Sequence, residues 1–121
     1  MEKQINNEVE ILNYLVGFFK MINYEEHEDF LISCKSHEGF HLDYVHLFFK
    51  KSLEGLDWDL YEKFNEREIR LEYDLVGPEG IYMYISFETF YSQLKNWIEE
   101  KYKNNSDLLD LLKEVKTSLG C

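Results

Sequence analysis

Between Gly80 and Asn104 the chain changes its hydrophobic period, and that change places a strand directly ahead of a helix. Ile81, Met83 and Ile85 alternate with Tyr82, Tyr84 and Ser86, the two-residue repeat of a strand. From Phe87 the apolar residues recur at Phe87, Phe90, Tyr91, Leu94, Ile98 and Tyr102, which is helical spacing. Ser86 sits at the joint, where its hydroxyl can cap the first free helix amides, and Glu88 lies near the positive end of the helix dipole.

The flanking segments extend this unit in both directions. Upstream, Ile69, Leu71, Tyr73 and Leu75 alternate with Glu68, Arg70, Glu72 and Asp74, as in a half-exposed strand. Val76-Gly77-Pro78-Glu79-Gly80 supplies turn chemistry, so the two strands are predicted to form an antiparallel hairpin. Downstream, Asn104 to Asp107 gives a break and a new cap. Leu108, Leu111, Leu112, Val115 and Leu119 then mark a final helix that Gly120 ends. So short a connection predicts that the last two helices pack antiparallel.

The amino-terminal half is read the same way. Asn6 or Asn7 can cap a first helix, with Glu8 and Glu10 in its first turn. Ile5, Val9, Leu12, Leu15, Val16, Phe19 and Ile22 mark its buried face. Tyr24 to Asp29 is an acidic connection that can also open a second helix, continued by Phe30, Leu31 and Cys34 and closing near His37 to Gly39. Phe40 to Phe49 reads as one strand, with Phe40, Leu42, Tyr44, His46 and Phe48 on one face and His41, Asp43, Val45, Leu47 and Phe49 on the other. Lys50 to Glu66 is a short helix or a long loop after a turn at Leu53 to Leu56. The sum is an α+β domain spanning residues 1–121: a small antiparallel sheet of about three strands, packed with four or so helices on one face.

Charge and chemistry narrow the function. The 24 acidic against 13 basic residues give a formal charge of −11, the wrong sign for a phosphate-binding or anionic-membrane surface and the right one for a basic protein partner. No segment has the length of a transmembrane span or the pattern of a signal peptide. Cys34 and Cys121 make no disulfide framework, which favours a reduced, cytoplasmic protein. Of the four histidines, His37 and His41 are separated by a predicted turn at Gly39, and His41 and His46 fall on opposite faces if Phe40 to Phe49 is one strand. No metal site and no cofactor are therefore expected. No glycine-rich phosphate loop and no nucleophile elbow is present, and a catalyst is not expected. A histidine converging with an acid would revive that reading.

The run Ile81-Tyr82-Met83-Tyr84-Ile85-Ser86-Phe87-Glu88-Thr89-Phe90-Tyr91, followed by Leu94, Tyr102 and the leucine-rich last helix, resembles bacterial immunity proteins. It is similar to those paired with ribonuclease toxins of contact-dependent growth inhibition systems. Members of that family end with a strand, an "I-S-Y-E-E-F-Y" helix entry and two antiparallel helices. Here phenylalanine stands for the first tyrosine and threonine for the second acid. The likeness covers about the last third of the chain and rests on core and cap positions, which report fold more than activity.

The resemblance implies a non-catalytic protein, monomer or weak dimer, that binds a basic nuclease toxin domain and blocks its active site or substrate access. The alternative is an acidic adaptor domain. Binding residues are sought where acids flank aromatics, since aromatics anchor and charges set register. Asp57, Trp58, Asp59, Tyr61 and Glu62 fit first, the strand face of Glu68, Glu72 and Asp74 second, and Glu25, Glu26, Glu28 and Asp29 third. In each patch the competing reading is a solvated face, and Trp58 can also serve as a core plug under a loop.

Overall fold

The computed structural model describes residues 3–74 and 80–121. Leu75 and the expected turn residues Val76 to Glu79 lie outside the described residues. The chain is α+β, and the described residues form five α-helices and one five-stranded sheet. The strands are β1 (Lys3–Gln4), β2 (Phe40–His41), β3 (Val45–Phe49), β4 (Glu68–Tyr73) and β5 (Ile81–Ser86), in spatial order β1-β5-β4-β3-β2. The helices are α1 (Glu8–Met21), α2 (His27–Lys35), α3 (Trp58–Lys63), α4 (Phe87–Lys101) and α5 (Ser106–Leu119), with 3-10 turns at Tyr24–Glu26 and Lys51–Leu53.

The joint at Ser86 forms as its chemistry requires. The Thr89 amide donates to Ser86 Oγ at 3.1 Å, and Asn7 and Asn105 cap α1 and α5 in the same manner. β5 pairs antiparallel with β4 from Tyr73↔Ile81 to Glu68↔Ser86. Val45, Leu47, Phe49, Ile69, Leu71, Tyr73, Ile81, Met83 and Ile85 point into one core with the apolar faces of α1, α2, α4 and α5. Phe18, Phe19, Phe30, Phe49 and Phe90 are fully buried there. The stripe of α1 is rotated from the one expected: Phe18 is in the core and Val9 is 67% exposed.

The sheet departs from the expected three antiparallel strands in two ways. β1, only two residues long, pairs parallel with β5 through Lys3↔Ile81 and Gln4↔Tyr82, making the sheet mixed. Two residues carry no readable period. The Phe40 to Phe49 segment is two strands and not one, folded into a hairpin in which the Leu42 amide donates to the Val45 carbonyl at 2.8 Å. Only Asp43 and Tyr44 lie between those residues, so the chain reverses and the alternation shifts phase by one. Phe40 then turns to the core, where its ring meets Phe30 edge-on at 5.0 Å, and His41 faces the same way as His46.

Packing of α2 on α5 is fastened at the α2 terminus. Ser118 Oγ donates to the Lys35 carbonyl at 2.5 Å, and Lys35 pairs with Glu114 at 3.0 Å. His37, with a left-handed φ of 55°, ends the helix. Its Nε2–H donates to the Ser118 carbonyl, and its ring stacks on Phe49. Arg67 ties the same end of α5 to α4: it bonds Glu88 at the α4 entry and the Leu119 carbonyl, next to Ser118. Cys34 is fully buried, and burial pushes its thiol well above the usual range.

Candidate functional site

The segment Lys50 to Glu66 resolves into a 3-10 turn, a glycine turn and the short helix α3. Gly55 has a φ of +75°, which favours glycine because a Cβ is strained there. Asp57 is spent on capping: its Oδ1 accepts from the Leu60 amide at 3.0 Å. With the helix so started, Trp58 and Tyr61 fall on adjacent positions and their rings meet edge-on at 5.1 Å. Lys50 lies 4.7 Å over the Tyr61 ring and pairs with Glu66 at 3.2 Å.

Trp58 is 57% exposed and Leu56 82% exposed. Trp58 is therefore no core plug; Phe64, at the end of the same segment, is the buried aromatic. Asp59 and Glu62 are exposed and have no ion-pair partner among the described residues. Of the first-ranked residues, Trp58 and Tyr61 meet, Asp59 and Glu62 stand exposed beside them, and Asp57 is taken by the cap. Leu56 was missed because it reads as a turn residue; an apolar side chain placed immediately after a glycine turn is the signal that finds it.

The second group, Glu68, Glu72 and Asp74, does not form an open acidic face. The outer surface of the sheet carries a transverse row, His41–His46–Glu72–Tyr82–Gln4, set by the register of all five strands. Below it lies Phe48–Arg70–Tyr84. Arg70 is buried although its strand position reads as exposed. Its guanidinium sits 3.9 Å from the Tyr82 ring centroid, its Nε donates to Glu72 Oε1 at 2.6 Å, and its Nη1 donates to Tyr84 Oη at 2.9 Å. Burial works against the charge, but the bonds to Glu72 and Tyr84 outweigh it and raise the pKa. Glu68 accepts from the Asn65 amide at 2.8 Å. All three acids are thus engaged within the chain, Asp74 with His46.

That last contact belongs to a connected chain. His46 Nε2 lies 2.7 Å from Asp74 Oδ2, and His46 Nδ1 lies 3.1 Å from His41 Nδ1. The carboxylate accepts, so His46 carries its proton on Nε2 and presents a lone pair on Nδ1, to which the His41 Nδ1–H donates. Burial, then the neighbouring His46, hold His41 below the ordinary histidine range, with Glu72 opposing. The prediction that His41 and His46 sit on opposite faces is corrected by the hairpin. Among the described residues no three His, Cys, Asp or Glu side chains gather as a metal site.

The third group lies at the start of α2. Glu25 and Glu26 are in the 3-10 turn and Glu28 and Asp29 in the first helical turn, beside Tyr24, which is 74% exposed. His27 between them points inward. Its Nε2–H donates to the Ile22 carbonyl at 3.0 Å, and its Nδ1 accepts from the Tyr102 hydroxyl. This histidine is a satisfied core residue.

Searches against protein-family models, characterised proteins and solved structures return no match to this sequence. No helix among the described residues is long and apolar enough to cross a membrane.

Proposed function

We propose that this chain is an immunity protein that acts in the cytoplasm, binding and neutralising the basic ribonuclease domain of a contact-dependent inhibition toxin. The observation that carries the reading is the exposed ridge of Leu56 and Trp58 beside Asp59 and Glu62. A large indole left in water, next to carboxylates with no internal partner, has the composition of an interface anchor with a charged rim. The formal charge of −11 supports it, because a nuclease that binds polyanionic RNA presents basic surface, and opposite charge speeds encounter. The helix entry at Ile85 to Tyr91 adds the family resemblance. Tyr24 with Glu25, Glu28 and Asp29 is a smaller patch of the same kind.

A second reading rests on the Asp74–His46–His41 chain, since a histidine oriented by a carboxylate is a proton-transfer arrangement. Its position on an open sheet face, with His41 exposed, leaves it in contact with water, which disfavours catalysis.

The test is co-expression with the toxin domain encoded beside this gene, then pull-down and a ribonuclease assay with purified components. A stable one-to-one complex that silences cleavage is expected. Undiminished cleavage at equimolar ratio rules the reading out.

A further inference from the structure

We propose that His41 and His46 form a two-histidine chelate for a borderline transition-metal ion, with Asp74 orienting His46 from behind. Nothing in this inference depends on the toxin-binding reading.

The geometry starts with the hairpin. Leu42 and Val45 close it through a backbone bond, so the next pair outward, His41↔His46, is the non-hydrogen-bonded kind, in which side chains approach most closely. The two Nδ1 atoms are 3.1 Å apart. Two imidazole nitrogens bound to one tetrahedral ion at about 2.0–2.1 Å each lie about 3.3 Å apart. The separation is therefore within tenths of an ångström of a chelate's, and gripping an ion requires each ring to turn by about 35°, so that its Nδ1 lone pair leaves the line between the two nitrogens and points at the ion.

The proton inventory also suits a metal. Asp74 holds the His46 proton on Nε2, leaving the Nδ1 lone pair directed at His41. This is the carboxylate–histidine arrangement that fixes the tautomer of metal-bound imidazoles and makes them better donors. His41 needs only to move its proton from Nδ1 to Nε2 through solvent, so neutral His41 and His46 bind the ion with no net loss of protons.

The surroundings give an ion access and place carboxylates near it, with the charge of Glu72 already shared with Arg70. Glu72 adjoins His46 across the strand pair, and Asp74 lies behind it. The His41 ring lies close over Gly39, where a Cβ would come within 3.0 Å of His41 Nε2, so glycine gives the ring its seat. On the other side His41 borders an open cleft shared with Asp43 and Glu26. Two histidines fill two positions of a tetrahedral ion, leaving two for water or for a donor from a bound protein.

The experiment titrates the full-length chain with Zn2+ alone by calorimetry, in a Cys121→Ser background so that the exposed thiol does not compete. Saturable binding of one ion per chain is expected. His41→Ala and His46→Ala should each weaken it by at least about tenfold, and Asp74→Asn by about tenfold. His37→Gln, away from the hairpin, should leave it unchanged. Circular dichroism and thermal melts confirm that each variant is folded, and Co2+ gives a visible spectrum from the same site. Absence of saturable binding at millimolar Zn2+ would overturn the chelate, as would unchanged affinity in either histidine variant. Unchanged affinity in Asp74→Asn would remove the orienting role assigned to that residue.

Discussion

Replacing Trp58 by alanine separates a binding anchor from a structural residue, because the two roles predict opposite results in two assays. An indole offers up to about 250 Å² of surface, and 57% of Trp58 is exposed, so a partner can cover about 140 Å². At about 25 cal/mol per Å² that burial is worth about 3.5 kcal/mol, a loss of about 300-fold in Kd. Folding stability should barely move: the indole is more than half exposed and its ring partner is Tyr61, and surface substitutions of this kind stay within about 0.5 kcal/mol. The affinity is measured by calorimetry against the cognate nuclease domain, and stability by urea unfolding of the free protein. Unchanged affinity with unchanged stability would place the interface elsewhere. A loss of stability of about 2 kcal/mol or more would show that the indole supports the fold.

The remaining predictions concern what lies inside. Arg70→Met should cost about 3 kcal/mol in urea unfolding, since it leaves Glu72 poorly solvated without its partner; a loss below about 1 kcal/mol would mean that the pair behaves as a surface bridge. At mildly alkaline pH the native protein should expose one thiol to a disulfide reagent, Cys121, and the unfolded protein two, because Cys34 is fully buried; rapid reaction of both in the native state would contradict the packing of α2. His37 is held below its usual value by burial, then by Lys51, with the Ser118 carbonyl opposing. The unfolded chain therefore takes up its proton first as pH falls. Its share of stability is present in full above about pH 6.5, declines below that, and levels off beneath the folded-state pKa. His37→Gln should flatten the fall in urea midpoint between about pH 7 and pH 5, and an identical slope in the variant would refute the assignment.

How much of this was legible beforehand varied with how local the determining physics is. The β5–α4 joint, the caps at Asn7, Ser86 and Asn105, and the stripe of α5 were readable because period and capping involve residues within a turn of each other. β1 was not, because a two-residue strand has no period and exists only by pairing with a strand late in the chain. The Phe40 to Phe49 hairpin reads as one strand in the sequence, since Asp43-Tyr44 lacks the glycine or asparagine that marks a two-residue turn. Unbroken alternation through that turn puts His41 and His46 on opposite faces and hides their contact. Arg70 reads as solvent-facing by alternation; its burial depends on Tyr82 and Tyr84 from the neighbouring strand. At the candidate interface the cluster from Asp57 to Glu62 was legible as acids beside aromatics. The exposure of Trp58 was not, because the same pattern fits an indole turned inward.

The pairing of β1 with β5 has a kinetic consequence. Its partners are 78 residues apart, whereas β3, β4 and β5 meet between near neighbours in the chain. Closing so long a loop costs entropy that only the docked strand returns. The central sheet and α4 should therefore form early, with one flank of β5 exposed until Lys3 to Ile5 arrive. During that interval the open edge can recruit another chain as readily as its own, so the yield of monomer on refolding should depend on protein concentration through that one late step.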